Sequence, residues 1–167
     1  MRLRLRILVK YAHERFFDMT VTRRQAREWA IQMLTAADLN PPDDVAAFIA
    51  AFWEDAATFG EEEGGAWRVK GSLKRFVEER VTGVLTALGE IDALLAPLLE
   101  HWDLARLGTV ERTVLRLGVW ELTYTDIPPP VVINEAVDIV NWFSSPKSRS
   151  LVNGVLDRYA KARKAQA

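Results

Sequence analysis

TRRQAREWAIQMLTA, residues 22–36, opens as a helix start. Thr22 is followed three residues on by Gln25, the pairing of a capping box, in which each side chain accepts from the other residue's backbone N–H. Ala26, Ala30, Met33, Leu34 and Ala37 then recur at helical spacing. Asn40-Pro41-Pro42 stops this helix, and Asp43-Asp44 starts a second one in the sense the helix dipole favours. The apolar stripe of the second is Val45, Phe48, Ile49, Phe52, Ala56 and Phe59, and Gly60 to Gly65 reads as a solvated loop. The same period continues along the chain. Leu73, Phe76, Val77, Val81, Val84 and Leu88 make a third stripe, ended by Gly89. Ile91, Leu94, Leu95, Leu98 and Trp102 make a fourth, with a kink or restart at Pro97. Gly108-Thr109 opens a fifth helix with Val110, Val114, Leu117 and Gly118 inward. Pro130 takes the first position of a sixth over Val131–Phe143, and Ser145-Pro146 caps a seventh reaching about Ala162. The body of the chain carries no strand period and no internal repeat. The pattern predicts an all-α bundle of six to seven helices.

A chain of 167 residues that is 49% hydrophobic and 27% charged can bury a real core. Residues 22–164 read as a single domain. Residues 1–21 read as a basic leader, in which Arg2, Arg4, Arg6 and Lys10 alternate with apolar residues. That leader is either a disordered arm or an over-extended start, with Met19 as the true first residue. No Cys is present, which excludes disulfides, thiolate catalysis, Cys-containing zinc sites and iron–sulfur clusters. The longest apolar run, Val45–Trp53, is far below the ~20 residues of a membrane helix. A soluble cytoplasmic protein is expected.

Catalytic patterns are absent. His13 and His101 have no ligand-spaced partners, and no H-E-x-x-H, phosphate-binding loop or G-x-S-x-G occurs. Glu61-Glu62-Glu63 and Gly64-Gly65 read as solvated loop rather than as a metal or phosphate site. The expectation is no enzyme, no metal and no cofactor.

Charge is segregated, although the total is only −1. Residues 1–36 carry +5, residues 37–63 −8 and residues 141–167 +5. If the ends meet in the fold they make one positive face. Arg23, Arg24 and Arg27 occupy the first turn and a half of the first helix. Lys147 and Arg149, with Ser148, occupy the start of the last. Cations at a helix N-terminus oppose the dipole, at a cost of about 0.3–1 kcal/mol each when exposed. Arg in that position suits phosphate through its bidentate fork, and a helix start with hydroxyls and open N–H groups suits it too. Ser145 and Ser148 also read as helix caps, and Lys161, Arg163 and Lys164 as a solubilising tail.

Four segments resemble one family. TRRQAREWAIQMLTA (Thr22–Ala36) is similar to the Arg-rich first helix of NusB-family transcription antitermination proteins. WDLARLGTVERTVLRLGVWEL (Trp102–Leu122), IPPPVVINEA (Ile127–Ala136) and SRSLVNGVLD (Ser148–Asp157) resemble three further motifs of that family, in order. The resemblance implies an all-helical fold of two subdomains without enzymatic activity. It implies binding of boxA-type RNA in nascent ribosomal RNA transcripts as a heterodimer with the ribosomal protein NusE, within an antitermination complex on RNA polymerase. A homodimer is a further option. RNA contacts are implied at Arg23, Arg24, Arg27 and Gln32, and at Lys147, Ser148 and Arg149. Part of the NusE contact falls on helices four to six, with Trp120, Asp126 and Pro129 as candidates. Gly154 is read as a close-packing glycine, Asn134, Glu135 and Asn153 as buried hydrogen-bonders, and Glu121 as the partner of an Arg.

Three positions depart from the family pattern. Thr35 stands where an aromatic is usual, Ser144–Lys147 replace a Gly-containing acidic loop, and Pro129-Pro130 replace an aromatic or basic residue. The rival reading is a NusB-like RNA-binding or adaptor domain without boxA preference. A methyltransferase carrying such a domain would need an α/β domain, for which there is no room after residue 160. A helix-turn-helix would need a polar recognition helix, and the helices after the short connections are apolar.

Overall fold

The computed structural model describes residues 22–62, 69–99, 103–143 and 146–166. Among these are seven α-helices and no strand, as the periodicity predicts. They are α1 (Arg23–Leu39), α2 (Val45–Glu62), α3 (Gly71–Thr86), α4 (Leu88–Leu95), α5 (Thr109–Tyr124), α6 (Pro129–Phe143) and α7 (Pro146–Gln166). Short 3-10 turns lie at Ala96–Leu98 and Leu104–Arg106. The leader at 1–21, with His13, and also His101, Trp102 and Ser145, lie outside the described residues. Among the described residues no single helix is long and apolar enough to cross a membrane.

The chain divides into two compact units, one running to Thr82 and one starting at Gly83. In the first, α1 begins with the expected capping box. Gln25 N–H donates to Thr22 Oγ1 at 3.4 Å, and Thr22 N–H donates to Gln25 Oε1 at 2.8 Å. Asp44 acts from just before α2, where its carboxylate accepts from Ala47 N–H at 3.0 Å. The core holds Trp29, Phe52 and Trp53 in edge-to-face contacts, with centroids 6.0 Å apart for Trp29–Trp53 and 5.5 Å for Phe52–Trp53. The Trp53 indole N–H is satisfied by Glu78 at 3.1 Å. The spacing predicts one buried stripe on α1. The structure buries Arg27, Trp29, Ile31, Gln32 and Thr35 as well, so α1 is enclosed around most of its circumference.

In the second unit α5 is the central element and packs against α4, α6 and α7. Its Val114, Leu115, Leu117 and Val119 are buried, each contributing about 1.5–3 kcal/mol by leaving water. Gly118 lets the fully buried Leu156 of α7 press onto α5. Arg116 forks onto Asp92, with Nε–Oδ1 and Nη2–Oδ2 both 2.8 Å, which ties α5 to α4. Arg112 donates to the carbonyls of Leu104, Ala105 and Leu107 and so closes the 3-10 turn before α5. Arg158 of α7 donates to Leu98 O at 2.8 Å.

Several boundaries differ from the expectation. Gly60 is inside α2, which continues to Glu62. The break after α3 falls at Ala87, and Gly89 is helical in the first turn of α4, where Glu90 complements the dipole. Pro129, not Pro130, opens α6. Asn134 and Asn153 are exposed rather than buried. The tail cations are also not merely solubilising, since Arg163 donates to Thr123 O at 2.7 Å and Lys161 meets Asp157 at 2.7 Å.

Candidate nucleic-acid interface

Each unit carries its own basic helix start. On α1, Arg23 and Arg24 are exposed and no acid lies in the first turn. On α7, Lys147 and Arg149 are exposed, again with no acid in the first turn. The helix dipole therefore adds to the positive potential at both places instead of cancelling it.

The remaining three expected RNA residues lie below the surface. Arg27 is 4% exposed, with its guanidinium carbon 5.3 Å from the centroid of the Phe76 ring. Gln32 is 7% exposed, and its Oε1 has no hydrogen-bond partner among the described residues. Ser148 is 7% exposed and donates to Glu111 Oε1 at 2.7 Å. Ser148 thus joins the start of α7 to the start of α5, where Glu111 also lies against Gly108. The reason for all three is packing. Charge, motif and position at a helix start single them out in the sequence, while the enclosure of α1 and the meeting of α5 with α7 decide what reaches solvent.

The partner candidates also separate. Trp120 is buried, with its indole laid on the backbone of Gly83 where a Cβ would stand. Asp126 and Pro129 are exposed and line a groove of about 690 Å³. Ile127, Pro128 and Ile133 are among its apolar lining residues, and Lys161 and Lys164 line it too.

Two residues of the basic site on α1 are unmarked in the sequence. Phe76 reads there as one more member of an apolar stripe, and Arg80 belongs to no cluster. In the structure Arg80 is 3% exposed and stacks on the Phe76 ring. The i,i+4 spacing of the two residues is visible, but nothing local announces that α3 meets the start of α1.

No group of three or more His, Cys, Asp or Glu that could hold a metal occurs among the described residues. Fold and site together define an all-helical binding protein with cation-bearing helix starts. The sequence profile of the NusB family matches residues 24–161. The chain belongs to the NusB family. It is 40% identical over 140 residues to the transcription antitermination protein NusB of Nitratiruptor sp., covering 84% of this chain and 92% of that protein. Among solved structures it is similar to T. maritima NusB, with a TM-score of 0.71, 30% identity and coverage of 86% of this chain and 93% of that one. It is also similar to a chain from a complex of the antitermination factors NusB and NusE with double-stranded RNA, with a TM-score of 0.66 and 30% identity. That match covers 84% of this chain and 96% of the other. These curated relatives are transcription antitermination proteins.

Proposed function

We propose that this chain is a cytoplasmic antitermination factor that binds boxA-type RNA of nascent ribosomal RNA transcripts together with the ribosomal protein NusE, so that RNA polymerase resists termination. The observation that carries the reading is the pair of exposed arginines, Arg23 and Arg24, in a first turn without any acid. Cations there oppose the helix dipole, and their guanidinium forks suit an anion docking at that end. Lys147 and Arg149 repeat it on α7 and are the second contact group. Arg27, Gln32 and Ser148 are buried, so the exposed cations are the contact groups. The solved complex of related NusB and NusE factors with RNA supports the same partners here. The groove lined by Asp126 and Pro129 is the surface for a protein partner in the second unit.

The test is RNA binding by the full chain, with and without NusE, across a salt series. Preference for a boxA RNA over a scrambled RNA of equal length, strengthened by NusE, is expected. Equal binding of both RNAs in the presence of NusE overturns boxA recognition and leaves an adaptor without that preference. Asp126→Lys is expected to weaken NusE binding while leaving RNA binding by the chain alone unchanged. Undiminished NusE binding removes the groove from the partner surface.

A further inference from the structure

Arg23 and Arg27 share one face of α1, and Phe76 and Arg80 share one face of α3, each pair at i,i+4 spacing. The two faces meet around a single ring. The guanidinium carbon of Arg80 stands 3.2 Å from the Phe76 centroid, that of Arg27 5.3 Å and that of Arg23 5.9 Å. All three are within the ~6 Å reach of a cation–π contact. Arg80 is further fixed by donating Nη1 to the Phe76 carbonyl at 3.2 Å and by meeting Glu79 Oε2 at 3.4 Å.

Three guanidinium groups gather around one ring, Arg80 with the Glu79 carboxylate beside it, and two of the three are almost wholly removed from water. Filling the space between α1 and α3 needs no such assembly, since an aliphatic side chain does that without gathering cations. What an aromatic ring adds is a negative face, which gives each guanidinium a preferred position. Of the three, only Arg23 is exposed. We infer that Phe76 is the positioning residue of the basic site on α1: its ring sets Arg23 for phosphate, with Arg27 and Arg80 packed around the same ring. This rests on the RNA reading above. Phe76 and Arg80 touch no RNA themselves.

The experiment uses the full chain and a fluorescein-labelled single-stranded boxA-type RNA, with anisotropy read across salt. Phe76→Leu is expected to weaken binding roughly two- to five-fold, the scale of one exposed cation–π contact. Phe76→Tyr keeps the π face and is expected to restore wild-type affinity. In an Arg23→Ala background, Phe76→Leu is expected to cost little more, because the exposed cation it would place is gone. NMR of the arginine Nε–Hε groups gives a reading independent of RNA. The Arg23 and Arg27 resonances, displaced by the ring current, are expected to move toward those of unstacked arginine in Phe76→Leu. Phe76→Met, of similar volume, serves if the Leu variant does not fold. Equal reductions in the wild-type and Arg23→Ala backgrounds, a Tyr variant as weak as Leu, or unmoved arginine resonances would each overturn the positioning role. A wild-type chain that binds neither boxA nor scrambled RNA overturns the RNA reading along with it, whereas wild-type binding with additive effects of the two substitutions overturns the positioning role alone.

Discussion

Two helical glycines show how differently one residue type is used. A Cβ on Gly118 would lie 2.8 Å from Leu156 Cδ1 and Cδ2, and Leu156 is fully buried, so it cannot move aside cheaply. Gly118→Ala is expected to lower unfolding stability by about 1–3 kcal/mol in urea denaturation, as overpacking does. Gly154 has nothing within 4 Å of where its Cβ would be. Gly154→Ala is expected to raise stability by up to ~1 kcal/mol through helix propensity alone, and a fall in the urea midpoint would refute this. The V-N-G-V motif marks Gly154 as the close-packing glycine, whereas the structure gives that work to Gly118. Spacing shows that a glycine is helical, but not which side chain faces it from another helix. Thr113 extends the point. It is 1% exposed, and its Oγ1 has no hydrogen-bond partner among the described residues. Thr113→Val keeps the shape and removes the stranded hydroxyl, so the urea midpoint should rise by the equivalent of about 1 kcal/mol. A lower midpoint would mean that the hydroxyl is bonded after all. The candidate site is legible in the same partial way. Charge and position mark Arg23, Arg24, Lys147 and Arg149, which are exposed, but give no warning that Arg27 and Ser148 are buried.

At the level of elements, the ends governed by local chemistry are readable. The Thr22 capping box, the Pro97 restart and the proline start of α6 all depend on residues within one turn of each other. The break at Ala87 and the helical state of Gly60 are not readable, because propensity there is overridden by what the helices bury. Links between helices are equally invisible. Asp92 and Arg116 are 24 residues apart, and neither sequence neighbourhood names the other. Tyr124, at the end of α5, illustrates the consequence of such a link. A hydrogen bond to Glu90, and then burial, raise its phenol above the ordinary 10.0. The folded state therefore holds the phenolic proton more tightly than the unfolded state does. The resulting stability is fully present below pH 10 and is lost as pH rises through the raised folded value. Tyr124→Phe is expected to abolish this part of the alkaline decline in urea midpoint. The difference should be small, because Tyr124 is half exposed and salt screens the contact. Parallel declines in variant and wild type would show that the Glu90 link is absent in solution.

For the molecule as a whole, net charge is a poor guide to what it binds. Residues 1–82 hold 13 basic and 13 acidic residues, and residues 83–167 hold 9 and 10, so each compact unit is close to neutral by count. Fields from exposed charges fade over about 8–10 Å at ordinary ionic strength. An approaching phosphate therefore responds to the local cluster and not to the sum. In the second unit Arg112, Arg116, Arg158 and Arg163 bond to protein acceptors, so their charge is committed to holding helices together. Lys147 and Arg149 remain as its exposed cations at a helix start, matching Arg23 and Arg24 in the first unit. This division gives a prediction that separates the two groups. Replacing Arg23 and Arg24 by Ala, or Lys147 and Arg149 by Ala, should weaken RNA binding. The salt slope should fall by about 0.7 for each phosphate of a single strand that the variant leaves unneutralised. Helicity should be unchanged, and slightly higher thermal stability is expected for the Lys147 and Arg149 variant, because that pair opposes a helix dipole. Combining both pairs should add their effects on the logarithm of affinity, since the pairs sit on separate helices in separate units. A salt slope untouched by one pair would confine phosphate recognition to the unit that holds the other.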